Sequence, residues 1–254
     1  MPTRLELIAL ETLPSVRPGD DLAELVCAAC ARERTALRDG DVIVVAQKIV
    51  SKSEGRIVAL AGVEPSPRAL EIARQCGKDG RLVELILSES SEIVRCVPGL
   101  IITRHRLGVV LANAGVDQSN TGSPGEETAV LWPLDPDASA ARLRLGLARR
   151  TGVDVAVIIN DSLGRAWRNG TIGTAIGLAG VAGVVDRRGE RDLFGRELRS
   201  TLVAQADELA AAASLLMGQG AEGRPVVVAL GLGFDMRSAS AQEMIREPKL
   251  DLFR

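Results

Sequence analysis

The alternation of apolar and polar residues along the chain predicts short buried strands that are interspersed with amphipathic helices. Residues 42–45 and 155–159 are purely aliphatic and mostly β-branched, which is typical of strands buried on both faces. Shorter apolar runs predict four further strands, at residues 5–10, 100–104, 198–203 and 225–230.

Apolar residues at helical spacing predict five main helices, at residues 22–34, 65–76, 81–92, 139–150 and 207–217. We expect Asp20 to cap the first of them. Residues 122–138 are rich in Gly, Pro, Glu and Asp and predict a loop. Residues 171–185 are small and aliphatic with four glycines, which favours close backbone packing in a tight helix, a subunit contact, or both.

The order of these elements predicts the fold class. Strands and helices alternate irregularly, and the chain contains neither a P-loop nor a Rossmann fingerprint. We therefore expect a mixed chain of the α+β class, with a sheet that is not of the Rossmann type.

Composition excludes several classes of partner. The chain has 254 residues and 46% of them are hydrophobic, enough for one large domain or two small ones. A net charge of −2 does not favour non-specific binding to nucleic acid or anionic membrane, and the absence of Tyr argues against base-stacking platforms. No apolar run approaches the ~20 residues that span a bilayer and no secretory signal is recognisable, so we expect a cytoplasmic protein.

The four cysteines predict free thiols rather than a metal site. Cys27 and Cys30 form a single Cys-x-x-Cys within an Ala-rich helical pattern, with no second pair and no nearby His to complete a zinc site. Cys76 and Cys96 are isolated in sequence. All four fit a reducing compartment.

Candidate chemistry first appears where the strand at residues 155–159 meets Asn160-Asp161-Ser162. A carboxylate and a hydroxyl at the end of a buried strand suit a hard divalent cation. Arg165 and Arg168 come shortly afterwards and could bind phosphate or carboxylate oxygens. The alternative is a polar turn in which Asp161 caps the next element of the chain.

A second apolar run, from residue 107, leads in the same way to Asp117 and Asn120, so the two segments could jointly hold one or two Mg²⁺ or Mn²⁺ ions. Lys52, beyond the strand at residues 42–45, could neutralise phosphate or be an ordinary solvated lysine. His105 is the only histidine and receives no general-base role.

Three long motifs, at residues 46–56, 112–120 and 160–170, resemble the coenzyme F420-0:L-glutamate ligase family, and the likeness extends from Leu13 to Arg254. The resemblance implies a single module over residues 1–254, built from two interlocked subdomains with mixed sheets. It further implies a homodimer, with the nucleotide in a groove near the subunit contact.

The resemblance also assigns residues to the site. It implies two divalent cations, Mg²⁺ or Mn²⁺, with K⁺ as an additional candidate ion. The implied nucleotide contacts are Leu13, Pro14, Ser15, Val16, Gln47, Lys52 and Asn120; the implied metal ligands are Asp117, Asp161, Ser162 and Glu208; and the catalytic candidates are Arg165 and Arg168.

The implied reaction joins the amine of L-glutamate to a carboxylate of coenzyme F420-0, with GTP consumed through an acyl phosphate and further γ-linked glutamates as a possible extension. All the expected partners besides a second subunit are small molecules. Two alternatives remain open from the residues alone: a metal-dependent nucleotide or phosphate-ester hydrolase, and a GTP-binding module without turnover.

Overall fold

The centre of the protein is a five-stranded mixed sheet. The structure is a computed structural model that describes residues 4–121, 126–231 and 233–251. With strands numbered in chain order, the sheet has the order β1 (Glu6–Leu10), β12 (Val226–Leu230), β2 (Val42–Ala46), β8 (Ala156–Arg165) and β9 (Arg168–Ala179). Only the β2–β8 pair is parallel.

Helices cover both faces of this sheet. Alternate residues of β2 enter two separate cores, with Ile43 and Val45 in one and Val42 and Val44 in the other. Helices α1 (Leu22–Arg32) and α5 (Pro136–Thr151) pack in the first core, and α6 (Gln205–Met217) packs in the second. The prediction that the aliphatic runs are strands buried on both faces is confirmed.

Residues 57–131, the inserted segment, enclose a third core of their own. The segment begins and ends with an antiparallel strand pair, β3 with β7, and it contains a three-stranded antiparallel sheet in the order β4-β5-β6. Its elements are β3 (Ile57–Ala59), α3 (Pro67–Cys76), α4 (Gly80–Ser88), β4 (Ser90–Val97), β5 (Leu100–His105), β6 (Val110–Ala112) and β7 (Thr128–Val130). The remaining helix and strands are α2 (Gln47–Ser53), β10 (Val185–Asp186) and β11 (Leu202–Val203).

Helices and mixed sheets together confirm the α+β class. The division into two interlocked subdomains stays a prediction. No helix among the described residues is long and apolar enough to span a membrane.

The N-cap of α1 lies one residue later than predicted. The Asp21 carboxylate accepts hydrogen bonds from the backbone amides of Ala23 and Glu24, at 2.9 and 3.1 Å. Asp20 instead accepts from the amide of Arg17 at 2.7 Å and stabilises the preceding turn. Both aspartates suit a cap by residue type, and the backbone geometry decides between them.

Three local patterns gave the wrong element or the wrong bounds. The helix predicted for residues 81–92 ends at Ser88, because the next residues pair with β5 as strand β4. The loop predicted for residues 122–138 contains β7 and the start of α5, and its residues 122–125 lie outside the described part. Of the strand predicted at residues 198–203, only Leu202–Val203 forms one.

Residues 171–179 belong to β9, so the prediction of a tight helix is wrong there. The close backbone packing predicted from the glycines is nevertheless present. A Cβ on Gly173 would lie 2.4 Å from the carbonyl oxygen of Ala210 in α6, and one on Gly177 would lie 2.5 Å from Pro136 in α5. Glycine at these positions lets both helices contact the backbone of the strand.

The four cysteines are free, as predicted. Cys27 and Cys30 lie on α1, and burial raises the pKa of the Cys30 thiol to about 11. Within residues 4–121, 126–231 and 233–251, no group of three or more His, Cys, Asp and Glu side chains is placed to hold a metal ion.

Candidate functional site

A cavity of about 770 Å³ opens where the parallel pairing of β2 with β8 ends. The last residue of β2, Ala46, pairs with Asn160, which lies midway along β8. Helix α2 begins directly after β2, and Asp161 comes next to Asn160 on β8. The chain thereby brings two of the three motifs to the same opening, as is common at the carboxyl ends of parallel strands.

The third motif enters from the inserted segment, through the turn after β6. Ten of the thirteen residues singled out from the sequence line this cavity. They are Leu13, Pro14, Ser15, Val16, Gln47, Lys52, Asp117, Asn120, Asp161 and Ser162.

Strand β8 does not end at Asn160, which corrects the predicted strand-to-loop change and the alternative in which Asp161 caps another element. The strand continues to Arg165 and pairs with β9, while its parallel partner β2 stops at Ala46. Beyond Asn160, β8 therefore pairs with β9 and no longer with β2. Polar residues are tolerated in this part of a strand because its side chains reach the cavity.

Asp161 is held by two hydrogen bonds. The indole Nε1 of Trp132 donates to its Oδ2, and the backbone amide of Ser162 donates to its Oδ1, both at 2.8 Å. Burial raises the pKa of Asp161 to about 6, against the lowering effect of these two donors, and the nearby charge of Asp117 raises it further. The two carboxylates therefore interact electrostatically across the cavity.

Asp117 carries a cationic partner in this structure. The Lys48 Nζ lies 2.8 Å from Asp117 Oδ2, and Ser119 donates to the carboxylate through its amide at 2.7 Å. Burial alone would raise the pKa of Asp117, but the hydrogen bonds and charge of Lys48, together with Ser119, bring it below the ordinary value. A positively charged group is thus favoured beside this carboxylate.

Lys48 and Lys52 lie one turn apart on α2 and both line the cavity. The Lys52 Nζ donates to the carbonyl oxygen of Asn120 at 2.6 Å. Burial, and then the charge of Lys48, lower the pKa of Lys52. Sequence analysis missed Lys48, although the spacing of four residues on a helix places two side chains on one face.

Three amide side chains form the buried floor of the cavity. Gln47 is 2% exposed, and its Nε2 donates to Ser51 Oγ at 2.6 Å and to the carbonyl oxygen of Leu131 at 3.3 Å. The side-chain oxygens of Asn113 and Asn160 are buried and have no hydrogen-bond partner in the described part of the chain, although both residues line the cavity. Sequence analysis gave neither asparagine a role of its own.

The remaining three residues singled out from the sequence lie outside the cavity. Arg165 and Arg168 are exposed on the hairpin that joins β8 to β9, and Arg165 Nη1 donates to the carbonyl oxygen of Gly170 at 3.3 Å. Glu208 is exposed in the first turn of α6. The structure of one chain does not bring these side chains to Asp117 and Asp161.

Comparison with known proteins accounts for the coincidence of three separate motifs at one cavity. The model of the family described as F420-0:Gamma-glutamyl ligase matches residues 11–231, which include all three motifs. The chain belongs to this family. The match also covers the helices on both faces of the central sheet and the whole inserted segment, and it begins directly after β1.

Full-length relatives in the F420-0:gamma-glutamyl ligase family carry the name coenzyme F420:L-glutamate ligase. The Methanopyrus kandleri protein is 49% identical over 259 residues, covering 100% of this chain and 99% of its own. The Methanothermobacter thermautotrophicus protein is 47% identical over 252 residues, with coverage of 98% and 99%. The Archaeoglobus fulgidus protein is 43% identical over 251 residues, with coverage of 99% and 97%.

Proposed function

We propose that this chain is a ligase that adds L-glutamate to coenzyme F420-0. The observation that carries the proposal is the convergence of the three family motifs on one cavity, lined by two carboxylates and two lysines. The names of the full-length relatives support the same activity. Further glutamates would be added through γ-linkages by the same chemistry.

GTP is the nucleotide that we propose for this cavity, whose volume of about 770 Å³ suits a ligand of that size. Lys48 and Lys52 would face the phosphates as compact positive charges. Asn120 and the loop of residues 13–16 would contact the rest of the nucleotide, with Gln47 in the cavity floor. Among the described residues, the hydrogen bond of the Lys52 ammonium is to a backbone carbonyl, so its charge is available to an anionic ligand.

A divalent cation, Mg²⁺ or Mn²⁺, fits the pair Asp117 and Asp161. Their carboxylates share the cavity and repel each other, and the ammonium of Lys48 already lies beside one of them. A bound ion would neutralise the phosphate charge that develops during transfer. Ser162 would extend the ligand set toward a second ion; Glu208, our other candidate for that ion, is exposed and outside the cavity of one chain. K⁺ is an additional candidate.

The proposed reaction has two steps. A carboxylate oxygen of F420-0 attacks the γ-phosphorus of GTP, so that an acyl phosphate forms, the bond between the γ-phosphorus and the bridging oxygen breaks, and GDP leaves. The amine of glutamate then attacks the acyl carbon, forms the amide, loses a proton and releases phosphate. The residues of the chain align the three reactants and hold their negative charges together.

In a homodimer, the exposed site candidates Arg165, Arg168 and Glu208 would lie near the subunit contact. The adjacent side chains of Leu193 and Phe194 are 98% and 90% exposed. Large apolar side chains exposed to this degree are typical of contact surfaces when they cluster. We propose that Arg165 and Arg168 bind the acidic substrate or stabilise transferred charge. Arg168→Lys keeps the charge but removes the planar fork, so a bidentate role predicts a lowered kcat/KM.

Phosphate release tests the proposed function and its two alternatives together. Purified protein is incubated with Mn²⁺ and GTP, and L-glutamate and F420-0 are added separately and then jointly. We expect release only with all components present, and a product heavier by one glutamyl residue. Release from GTP alone would favour a hydrolase, and nucleotide binding without release would favour a binding module.

Matched variants of that assay test the metal and its proposed ligands. Asp117→Asn and Asp161→Asn should each lower turnover, because each removes several kcal/mol of transition-state stabilisation. Asp154→Asn is a suitable control, because Asp154 lies away from the cavity and pairs with Arg144. Normal turnover in either cavity variant would contradict the metal assignment.

A further inference from the structure

Trp132 lies directly against the carboxylate that we place in the metal site. It comes just after the inserted segment, is completely buried, and donates from Nε1 to Asp161 Oδ2 at 2.8 Å. The amide of Ser162 donates to the other oxygen, Oδ1, at the same distance. Within the described residues, each carboxylate oxygen therefore accepts one hydrogen bond and keeps a lone pair for a further partner.

The indole itself is held in one place. Gly115 has a φ of +70°, and a Cβ there would lie 2.4 Å from Trp132 Nε1, so only glycine permits this approach. The ring of His105 lies 4.6 Å from the indole, centroid to centroid, at an angle of 41°. The carbonyl oxygen of Trp132 accepts from Arg56 Nε at 2.8 Å. Both the backbone and the ring of Trp132 are therefore fixed.

Behind the indole lies an ion cluster of Glu89, Arg56, Arg106 and His105, in which Glu89 and His105 are buried. Glu89 contacts Arg56 Nη2 at 2.8 Å and Arg106 Nε at 3.3 Å. His105 Nδ1 accepts from the amide of Leu107, so its proton lies on Nε2, 3.4 Å from Glu89 Oε2. A continuous set of contacts thus runs from the inserted segment through Trp132 to Asp161.

We propose that Trp132 is a positioning residue. Its indole N–H fixes the rotation of the Asp161 carboxylate so that the free lone pairs face the cation, and Gly115 keeps the indole at hydrogen-bonding distance. The inference rests on the proposed metal site. Groups that hydrogen-bond to a metal ligand orient it, and their removal typically weakens metal binding about 10- to 100-fold. Trp132 touches neither GTP nor the acyl group in this proposal.

The decisive measurement is the affinity of the nucleotide-free protein for Mn²⁺, obtained by counting free Mn²⁺ with electron paramagnetic resonance. We expect Trp132→Phe, which removes the N–H, to raise Kd at least about tenfold. Trp167→Phe is the matched control, because it makes the same change at an exposed position, and it should leave Kd unchanged. If Trp132→Phe does not fold, 3-benzothienylalanine at position 132 keeps the bicyclic ring and replaces only the N–H with sulfur.

Fluorescence tests separately whether the bound Mn²⁺ lies close to Trp132. The chain has two Trp and no Tyr, so Trp167→Phe leaves Trp132 as the only strongly emitting residue. Mn²⁺ should quench that emission with the midpoint found by resonance, and the quenching should disappear in Trp167→Phe/Asp161→Asn.

The outcomes separate this inference from the proposal on which it rests. Wild-type protein that binds no Mn²⁺ would overturn both the metal site and the role of Trp132. Wild-type binding that is retained in full by the Trp132 variants would overturn the positioning role alone and leave the metal site intact.

Discussion

Replacing Glu89 with glutamine tests the ion cluster that the buried Glu89 carboxylate forms with Arg56, Arg106 and His105. The Glu89 side chain is only 7% exposed and contacts all three partners within 3.4 Å. Burial alone would raise the pKa of this carboxyl. The contact with His105 and the hydrogen bond and charges of the two arginines instead lower it from the ordinary 4.5 to about 2.

The lowered pKa of Glu89 sets the expected contribution of this carboxyl to the free energy of unfolding. A carboxyl with a pKa of 4.5 when unfolded and about 2 when folded stabilises the protein by about 3 kcal/mol at neutral pH. The folded state releases its proton more readily, so the stabilisation is complete above about pH 5 and is lost as the pH falls through 4.5 toward 2. By pH 3, about 2 kcal/mol of it should be gone.

Urea unfolding of wild type and Glu89→Gln between pH 7 and pH 3 measures this pH-dependent stabilisation directly. At pH 7 we expect the variant to be less stable by about 3 to 5 kcal/mol, because two arginines lose a buried counter-charge. The difference should shrink by about 2 kcal/mol at pH 3. Glu92→Gln is the matched control, since Glu92 forms an exposed pair with Arg104 and should change stability by less than about 1 kcal/mol.

Two results would refute this reasoning. One is a Glu89→Gln variant whose stability at pH 7 differs from wild type no more than that of Glu92→Gln. The other is a difference that stays constant from pH 7 to pH 3, because it would assign the loss to packing instead of charge.

Two further predictions concern backbone geometry and capping. Gly115→Ala should lower the free energy of unfolding by about 2 to 4 kcal/mol, since it combines positive φ with a clash against Trp132. Gly99→Ala is the control, because Gly99 has positive φ in open space, and it should lower that free energy by only about 1 to 2 kcal/mol. Equal losses in urea unfolding would exclude the clash. Asp21→Ala should lower the free energy of unfolding by about 1 kcal/mol because it removes the N-cap of α1. If Asp20→Ala lowered the stability more in thermal unfolding, the capping assignment would be wrong.

The sequence predicted best those parts of the fold that depend on local pattern. Strand β2 is aliphatic at every position, and a strand with no polar face can only be buried on both sides. The Ala-rich α6 and the aliphatic β12 were likewise recognisable. The cavity could be anticipated because polar residues come after two apolar runs, and ten of the thirteen residues singled out line it.

The errors fall where a distant partner decides the structure. Residues 168–179 form a strand because β8 is available to pair with them, which the glycine pattern does not reveal. Glu89 ends a helix that the apolar pattern would have continued, since the next residues pair with β5. The contact of Trp132 with Asp161 joins residues 29 positions apart, on different elements, and no spacing rule predicts it.

The strand order of the central sheet has a consequence for synthesis on the ribosome. Strand β12, almost the last to emerge, lies between β1 and β2, which are among the first, and Glu6 pairs with Leu230. The central sheet therefore cannot close until β12 has been translated. The inserted segment is contiguous and has its own core, so it can fold while β1 and β2 still wait for their neighbour.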